Sequence, residues 1–180
     1  MKCETFFRKL PFYRFVMPIS RLHLDAASIR ILDLLQQNSE MSISDLAEAT
    51  GLSASPCWRR VNELKESGLI KGAVALVDAQ SLGLAVNVFV QVSLKQQDRE
   101  SLDVFNAAIK TKPEIVECYL MTGEADYMLR VVVEDLMKFQ ALVVDFLTRI
   151  PGVANIRSSF ALSQIKYTTA LPTDHLKSRG

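Results

Sequence analysis

Apolar residues recur at two different periods along this chain, and the change of period divides it. From residue 24 to about 70 they recur every three or four positions. Ile29, Leu32 and Leu35 follow Asp25, a good N-cap, and predict a first helix ending near Asn38. Ser42 with Asp45 three residues on has the form of a capping box. It opens a short second helix through Leu46, Ala47 and Ala49 that stops at Gly51. Gly51 supplies a left-handed turn, Leu52 fills the corner, and Pro56 sits near the first turn of a third helix, where its missing N–H costs nothing. That helix runs to Gly68. The stretch 69–77 (LIKGAVALV) then reads as a strand pair, a wing beside the third helix.

The second half mixes strand and helix periods. Residues 87–94 (NVFVQVSL), 115–122, 127–133 and 153–162 read as strands. Leu102, Phe105 and Ile109 mark one helix between them. A second, capped by Asp135, carries a continuous apolar stripe of Phe139, Leu142, Val143, Phe146, Leu147 and Ile150 up to Pro151-Gly152. The order is β-α-β-β-α-β, a ferredoxin-like split unit with helices on one face of an antiparallel sheet. The fold class is therefore α+β. A winged helix-turn-helix spans 24–72, a linker strand 73–85 and a ferredoxin-like domain 86–172, with a tail over 173–180. Such a sheet has a second face to cover, and Ile165, Tyr167 and Leu171 continue past the last strand as cover for a partner, so at least a homodimer is expected.

Charge qualifies this picture. The net charge is only +1, but residues 1–23 hold five Lys/Arg against one acid and are +4, leaving the other 157 residues at −3. Pro11 and Pro18 break that basic, aromatic extension, so it reads as a flexible tail or as sequence upstream of a true start at Met17. A mildly acidic folded part does not hold DNA by bulk charge. Any DNA reading must rest on local contacts and several linked copies.

The third helix offers such contacts. At about 100° per residue, Cys57, Val61 and Leu64 share one face while Arg59, Asn62, Glu63 and Glu66 face away, with Trp58 and Arg60 on the flanks. Arg reads guanine bidentately, Asn reads adenine, and a Ser near a helix start holds phosphate. Ser53, Ser55, Trp58, Arg59, Arg60 and Asn62 are the candidate DNA-binding residues, with Lys71 on the wing touching the backbone. Any one of these helices alone reads as well as part of a small bundle with a solvated face; the ordered set of three points to DNA.

These residues carry a resemblance. Leu24-Asp25, Asp45-Leu46-Ala47, Gly51-Leu52-Ser53, Ser55-Pro56-Cys57 with Arg60-Val61, and Leu64 to Gly68-Leu69-Ile70 resemble the leucine-responsive/asparagine-responsive (Lrp/AsnC) family of transcriptional regulators, over residues 24 to about 172. The run Thr122-Gly123-Glu124-Ala125-Asp126-Tyr127 resembles the family's G-x-x-D-Y loop between the second and third strands of its regulatory domain. Taken alone, Gly-x-x-Asp reads first as a hairpin turn in which Asp126 bonds its own backbone. With the resemblance it becomes a site for a free amino acid. Gly123 lets backbone N–H groups approach a carboxylate, Asp126 accepts from an ammonium, and Leu120, Met121 or Phe160 line the side-chain pocket. Thr122 and Tyr127 belong to the same loop. The resemblance also implies effectors bound between subunits, with last-strand residues Ser159, Phe160 and Ala161 contributing.

Other chemistry is thinly represented. His23 and His175 are the only histidines and lie outside the predicted domains, so no catalytic pair is visible. No P-loop, GxGxxG or metal-spaced Cys/His set occurs, so no cofactor and no metal are expected. Cys57 near a helix start has the place of a redox sensor, but its apolar-face position favours an inert core thiol. No apolar run approaches the ~20 residues of a membrane-spanning helix, and Cys3, Cys57 and Cys118 are too scattered for a disulfide framework, which fits a cytoplasmic protein. The resulting expectation is a regulator of double-stranded DNA, assembled from dimers into tetramers or octamers and responsive to an amino acid. The alternative is an amino-acid-binding oligomerisation module acting through a protein partner.

Overall fold

A computed structural model describes residues 24–177. The basic extension over 1–23 lies outside them. The chain divides into two compact units, one built from residues up to Val74 together with Thr168 onward, the other from Ala75–Tyr167.

In the first unit three helices, α1 (Ala26–Gln37), α2 (Ile43–Thr50) and α3 (Ala54–Glu66), close on a core of Ile31, Leu46, Ala47, Cys57, Val61 and Leu64. Asp25 caps α1 by accepting from the Ser28 N–H at 2.8 Å. Ser42 and Asp45 form the reciprocal capping box at the start of α2. Gly51 ends α2 at φ 69°, and its N–H reaches the Glu48 carbonyl at 3.2 Å. Ser53 occupies the N-cap of α3 without a side-chain bond.

The strand pair expected after α3 does not form within this chain: among the described residues no strand occurs between α3 and Val86. A strand needs a ladder partner, and here Val74, Leu76 and Val77 stand largely in solvent. Asp78 instead organises a turn, accepting from Ser81 N–H at 2.7 Å, and Gly83 closes it with φ 78°. The tail also differs from expectation. Leu171 does not extend the sheet domain; its N–H donates to Gln36 Oε1 at 2.6 Å, Thr173 Oγ1 donates to Asp33 Oδ1 at 2.6 Å, and a last turn, α6 (Asp174–Lys177), completes the first unit.

The second unit is the expected β-α-β-β-α-β. Strands β1 (Val86–Leu94), β2 (Ile115–Leu120), β3 (Tyr127–Val133) and β4 (Val153–Phe160) form one antiparallel sheet ordered β2-β3-β1-β4, with α4 (Arg99–Ile109) and α5 (Leu136–Ala141) in the connections. Alternation assigns the faces. Val88, Val90, Val92 and Leu94 turn inward with Tyr127, Leu129 and Val131 onto Phe105, Ile109, Phe139, Leu142, Leu147 and Ile150. The opposite face carries Phe89 and Tyr119, both exposed. Around them Arg130 donates to Glu117 Oε1 at 2.8 Å and to Asn87 Oδ1 at 3.3 Å, and Tyr119 OH donates to Glu117 Oε2 at 2.9 Å. The helix expected to run unbroken from Asp135 does not: after Ala141 it widens into a π-turn, Leu142–Phe146, and ends as a 3-10 turn, Leu147–Arg149. The apolar stripe is intact, but it is delivered by three helical forms.

Candidate functional site

Helix α3 has the two sides that its sequence predicts. Cys57, Val61 and Leu64 are buried, whereas Ser55, Trp58 and Arg59 are exposed and Asn62 half-buried. Trp58 is 57% exposed, uncommon for so large an apolar ring. Arg59 lies 3.6 Å from Glu63 across one helical turn, with both side chains mostly in water. Such a pair contributes little and is easily exchanged for another anion. Ser53 and Lys71 are exposed at the two ends of the helix and its following loop.

Arg60 is placed differently from its neighbours. Its guanidinium turns back onto Asp25 with Nη2 2.7 Å and Nε 3.2 Å from Oδ2, and only 20% of its side chain is accessible. The Arg60 guanidinium, then the Ser28 side chain, hold the Asp25 carboxyl well below the usual carboxylate range. One carboxylate thus caps α1 and ties it to α3. Arg60, expected as a DNA contact, thus ties α3 to α1 in this structure, while Ser53, Ser55, Trp58, Arg59 and Lys71 are exposed and Asn62 is half-buried. Cys57 lies in the core, and burial raises its thiol pKa, which fits an inert residue.

In the second unit, Thr122, Gly123 and Glu124 form an exposed loop with Gly123 at φ 136°, a value that suits only glycine. Asp126 anchors the loop. It is 8% exposed; Oδ2 accepts from the Leu94 backbone N–H and Oδ1 from Gln97 Nε2, both at 2.6 Å. It bonds neither its own backbone, as a simple turn would require, nor an open cavity. Tyr127 belongs to the core, its ring centroid 4.3 Å from that of Phe105. Leu120 is half-buried and Met121 is 44% exposed at the loop entrance.

The last strand departs further from expectation. Ser159 pairs with Phe89 and Phe160 with Val88, whereas the loop adjoins β1 at Val92–Leu94. Four residues of strand separate the two places, about 13 Å. Ser159 and Phe160 also face opposite ways, and Phe160 packs edge-on against Phe139 at 5.4 Å on the helix side. One chain does not bring these two residues to the loop. Its own β4 supplies Asn155 and Arg157 there. With Gln91, Ser93, Glu124 and Ala125 they line a polar cavity of about 360 Å³, in which Arg157 Nη1 lies 3.7 Å from Glu124 Oε2. Of these, the sequence pattern marks Glu124 and Ala125 as part of the Gly123 loop but gives no sign of Gln91, Ser93, Asn155 or Arg157. Counting outward from the loop along antiparallel β1 and β4 would have found them, but only with the register in hand.

No group of three or more His, Cys, Asp or Glu among the described residues is arranged to hold a metal ion, and none of the described helices is long and apolar enough to cross a membrane.

Comparison with known proteins agrees with both halves. Residues 24–71 match the winged helix-turn-helix DNA-binding model, and residues 87–171 match the Lrp/AsnC ligand binding domain. The Bkd operon transcriptional regulator of Pseudomonas aeruginosa is 44% identical over 149 residues, covering 83% of this chain and 97% of its own. The DNA-binding transcriptional activator DecR of Escherichia coli is 36% identical over 151 residues, covering 84% and 99%. Among solved structures, a transcriptional regulator of Neisseria meningitidis in complex with L-Met superposes with TM-score 0.82 at 37% identity, covering 85% of this chain and 99% of that one. With its three capped helices, its β2-β3-β1-β4 sheet and these relatives along nearly the whole of both units, the chain belongs to the Lrp/AsnC family of transcriptional regulators.

Proposed function

We propose that the chain is a sequence-specific DNA-binding transcriptional regulator in which α3 reads the major groove and a free amino acid, bound in the second unit, alters assembly and thereby DNA affinity. The observation that carries it is the two-sidedness of α3. Its inner face is fully buried, while Trp58 and Arg59 stand in water beside Ser55 and Asn62. Arg59 and Asn62 read bases, Ser53, Ser55 and Lys71 hold phosphates, and Arg60 keeps the helix in place through Asp25.

For the effector, the loop from Leu120 to Gly123 supplies backbone N–H groups, and the adjoining polar cavity supplies one charge of each sign, Arg157 for a carboxylate and Glu124 for an ammonium. Asp126 holds the loop rather than the ligand. If Ser159 and Phe160 contribute, they come from a second chain, because their own lie about 13 Å along β1. That separation favours a site between subunits and so couples ligand to assembly. The exposed Phe89 and Tyr119 on the open sheet face are the surface for a homodimer. Further assembly to tetramers or octamers multiplies weak DNA contacts, which a folded part of net negative charge requires. The protein acts in the cytoplasm without a cofactor.

The test is mobility shift on DNA upstream of the protein's own coding sequence, with and without a pool of the twenty amino acids. A specific shift altered by the pool is expected. Absence of any specific shift at low salt removes the DNA reading.

A further inference from the structure

Helix α3 turns one large apolar ring outward. Trp58, the single tryptophan, is 57% exposed, although Cys57 before it and Val61 one turn on are buried. It takes no part in the core on which the three helices close. Its ring is also unoccupied: the aromatic pairs and the cation–π contact among the described residues, Phe105–Tyr127, Phe139–Phe160 and Lys112–Phe146, all lie in the second unit. A ring of this size left in water forgoes the stabilisation that burial would give.

The neighbours of Trp58 narrow the reason. Ser55, three positions before it, and Asn62, four after, share its face of the helix, and Arg59 adjoins it. The indole is therefore an apolar group set within a polar stripe. Phosphates and base edges suit the polar members of that stripe, through hydrogen bonds and charge. In the major groove, base edges present hydrogen-bonding groups at every pair but a single kind of apolar group, the C5 methyl of thymine. Trp58 also lies one helical turn from Asn62, about 6 Å along the axis, which is about two base steps of duplex. A helix that sets Asn62 against an adenine thus sets the indole over a pair within about two steps of it.

We infer that Trp58 is a specificity determinant of α3: its ring packs on the C5 methyl of a thymine close to the adenine taken by Asn62, and so selects thymine at that position. The inference rests on the DNA-reading role of α3 proposed above and adds to it the base and the group recognised.

The test uses the full chain and the DNA upstream of its own coding sequence, prepared with thymine or with uracil in its place. Uracil removes the methyl and keeps the pairing. Wild type should bind the uracil DNA more weakly, by about fourfold for each contacted methyl that is lost. Trp58→Gln, a good helix former at an exposed position, should bind thymine DNA more weakly than wild type and lose the preference over uracil DNA. Trp58→Phe should keep part of it. Arg59→Ala should weaken binding to both DNAs and leave their ratio at the wild-type value. Uracil placed at single positions should locate the effect within about two pairs of the adenine at which Asn62→Ala loses discrimination. Equal binding of the two DNAs by wild type, or a thymine preference that survives in Trp58→Gln, would overturn the inference and leave the DNA reading standing. Absence of a specific shift on thymine DNA would overturn both.

Discussion

The Arg60 guanidinium rests on the carboxylate of Asp25, thirty-five positions earlier, with Nη2 2.7 Å from Oδ2, and that same carboxylate caps α1 through the Ser28 N–H. A side chain on α3 is thereby assigned to holding that helix against α1. Arg60→Ala should lower both stability and DNA affinity. The stability loss should be about 1 kcal/mol, because Asp25 is half exposed and water screens the pair. Arg60→Lys should recover only part, since an ammonium does not reproduce the two-point contact. Urea unfolding followed by circular dichroism measures the first effect and DNA titration the second.

The same pair makes stability acid-sensitive. The folded Asp25 carboxyl titrates below its ordinary value, chiefly because of Arg60 and then Ser28. Its contribution is therefore present above the unfolded pKa of about 3.9 and is lost as pH falls from there toward the folded value. Asn remains a good N-cap while carrying no charge. Asp25→Asn should thus be less stable than wild type near neutrality, with the gap closing below about pH 4. A gap of constant size across that range would mean the ion pair contributes nothing.

Arg59 should behave differently from Arg60. Its side chain is largely in water and its pairing with Glu63 is weak, so Arg59→Ala should leave the unfolding midpoint within error. DNA affinity should fall, and the slope of log affinity against log salt should shrink by about 1 if Arg59 meets phosphate. If it reads a base instead, affinity falls with little change in slope and specificity relaxes at one position. Trp58, the single tryptophan, is 57% exposed nearby, and its fluorescence reports the binding directly.

Asp126→Ala should destabilise the second unit by about 2 kcal/mol, since it leaves the buried Leu94 N–H without an acceptor and releases Gln97. Asp126→Asn keeps one acceptor oxygen and should lose less. Exchange rates at Leu94 and through 121–126 are the direct readout. If Asp126→Ala abolishes the amino-acid response while those rates stay at wild-type values, the carboxylate touches the ligand and is not an anchor.

Cys57 should resist thiol reagents in the folded protein and become reactive only on unfolding, because the side chain is fully buried and burial raises its pKa. Mass spectrometry of each cysteine peptide after labelling gives the answer. Fast modification of Cys57 under native conditions would restore a redox role.

What the sequence by itself determined was local. Asp25, the Ser42–Asp45 box and Gly51 set helix boundaries because caps and left-handed turns act over three or four residues, and each is found where the pattern put it. The alternation in β1 likewise fixed its inward residues, and the order β-α-β-β-α-β fixed the architecture. Tertiary structure decided what depends on a partner far along the chain. Only the fold brings Asp25 against Arg60, and only the fold sets the Leu94 N–H and the Gln97 amide on the two oxygens of Asp126. The apolar run after α3 has strand composition but no ladder partner within the described chain, so it forms no strand. Register did the rest: antiparallel pairing of β4 with β1 sets Arg157, not Ser159, beside the loop. Side-chain type and spacing specify which local structures are available, whereas hydrogen-bond partners distant in sequence decide which polar groups are consumed in holding the fold and which remain for DNA and ligand.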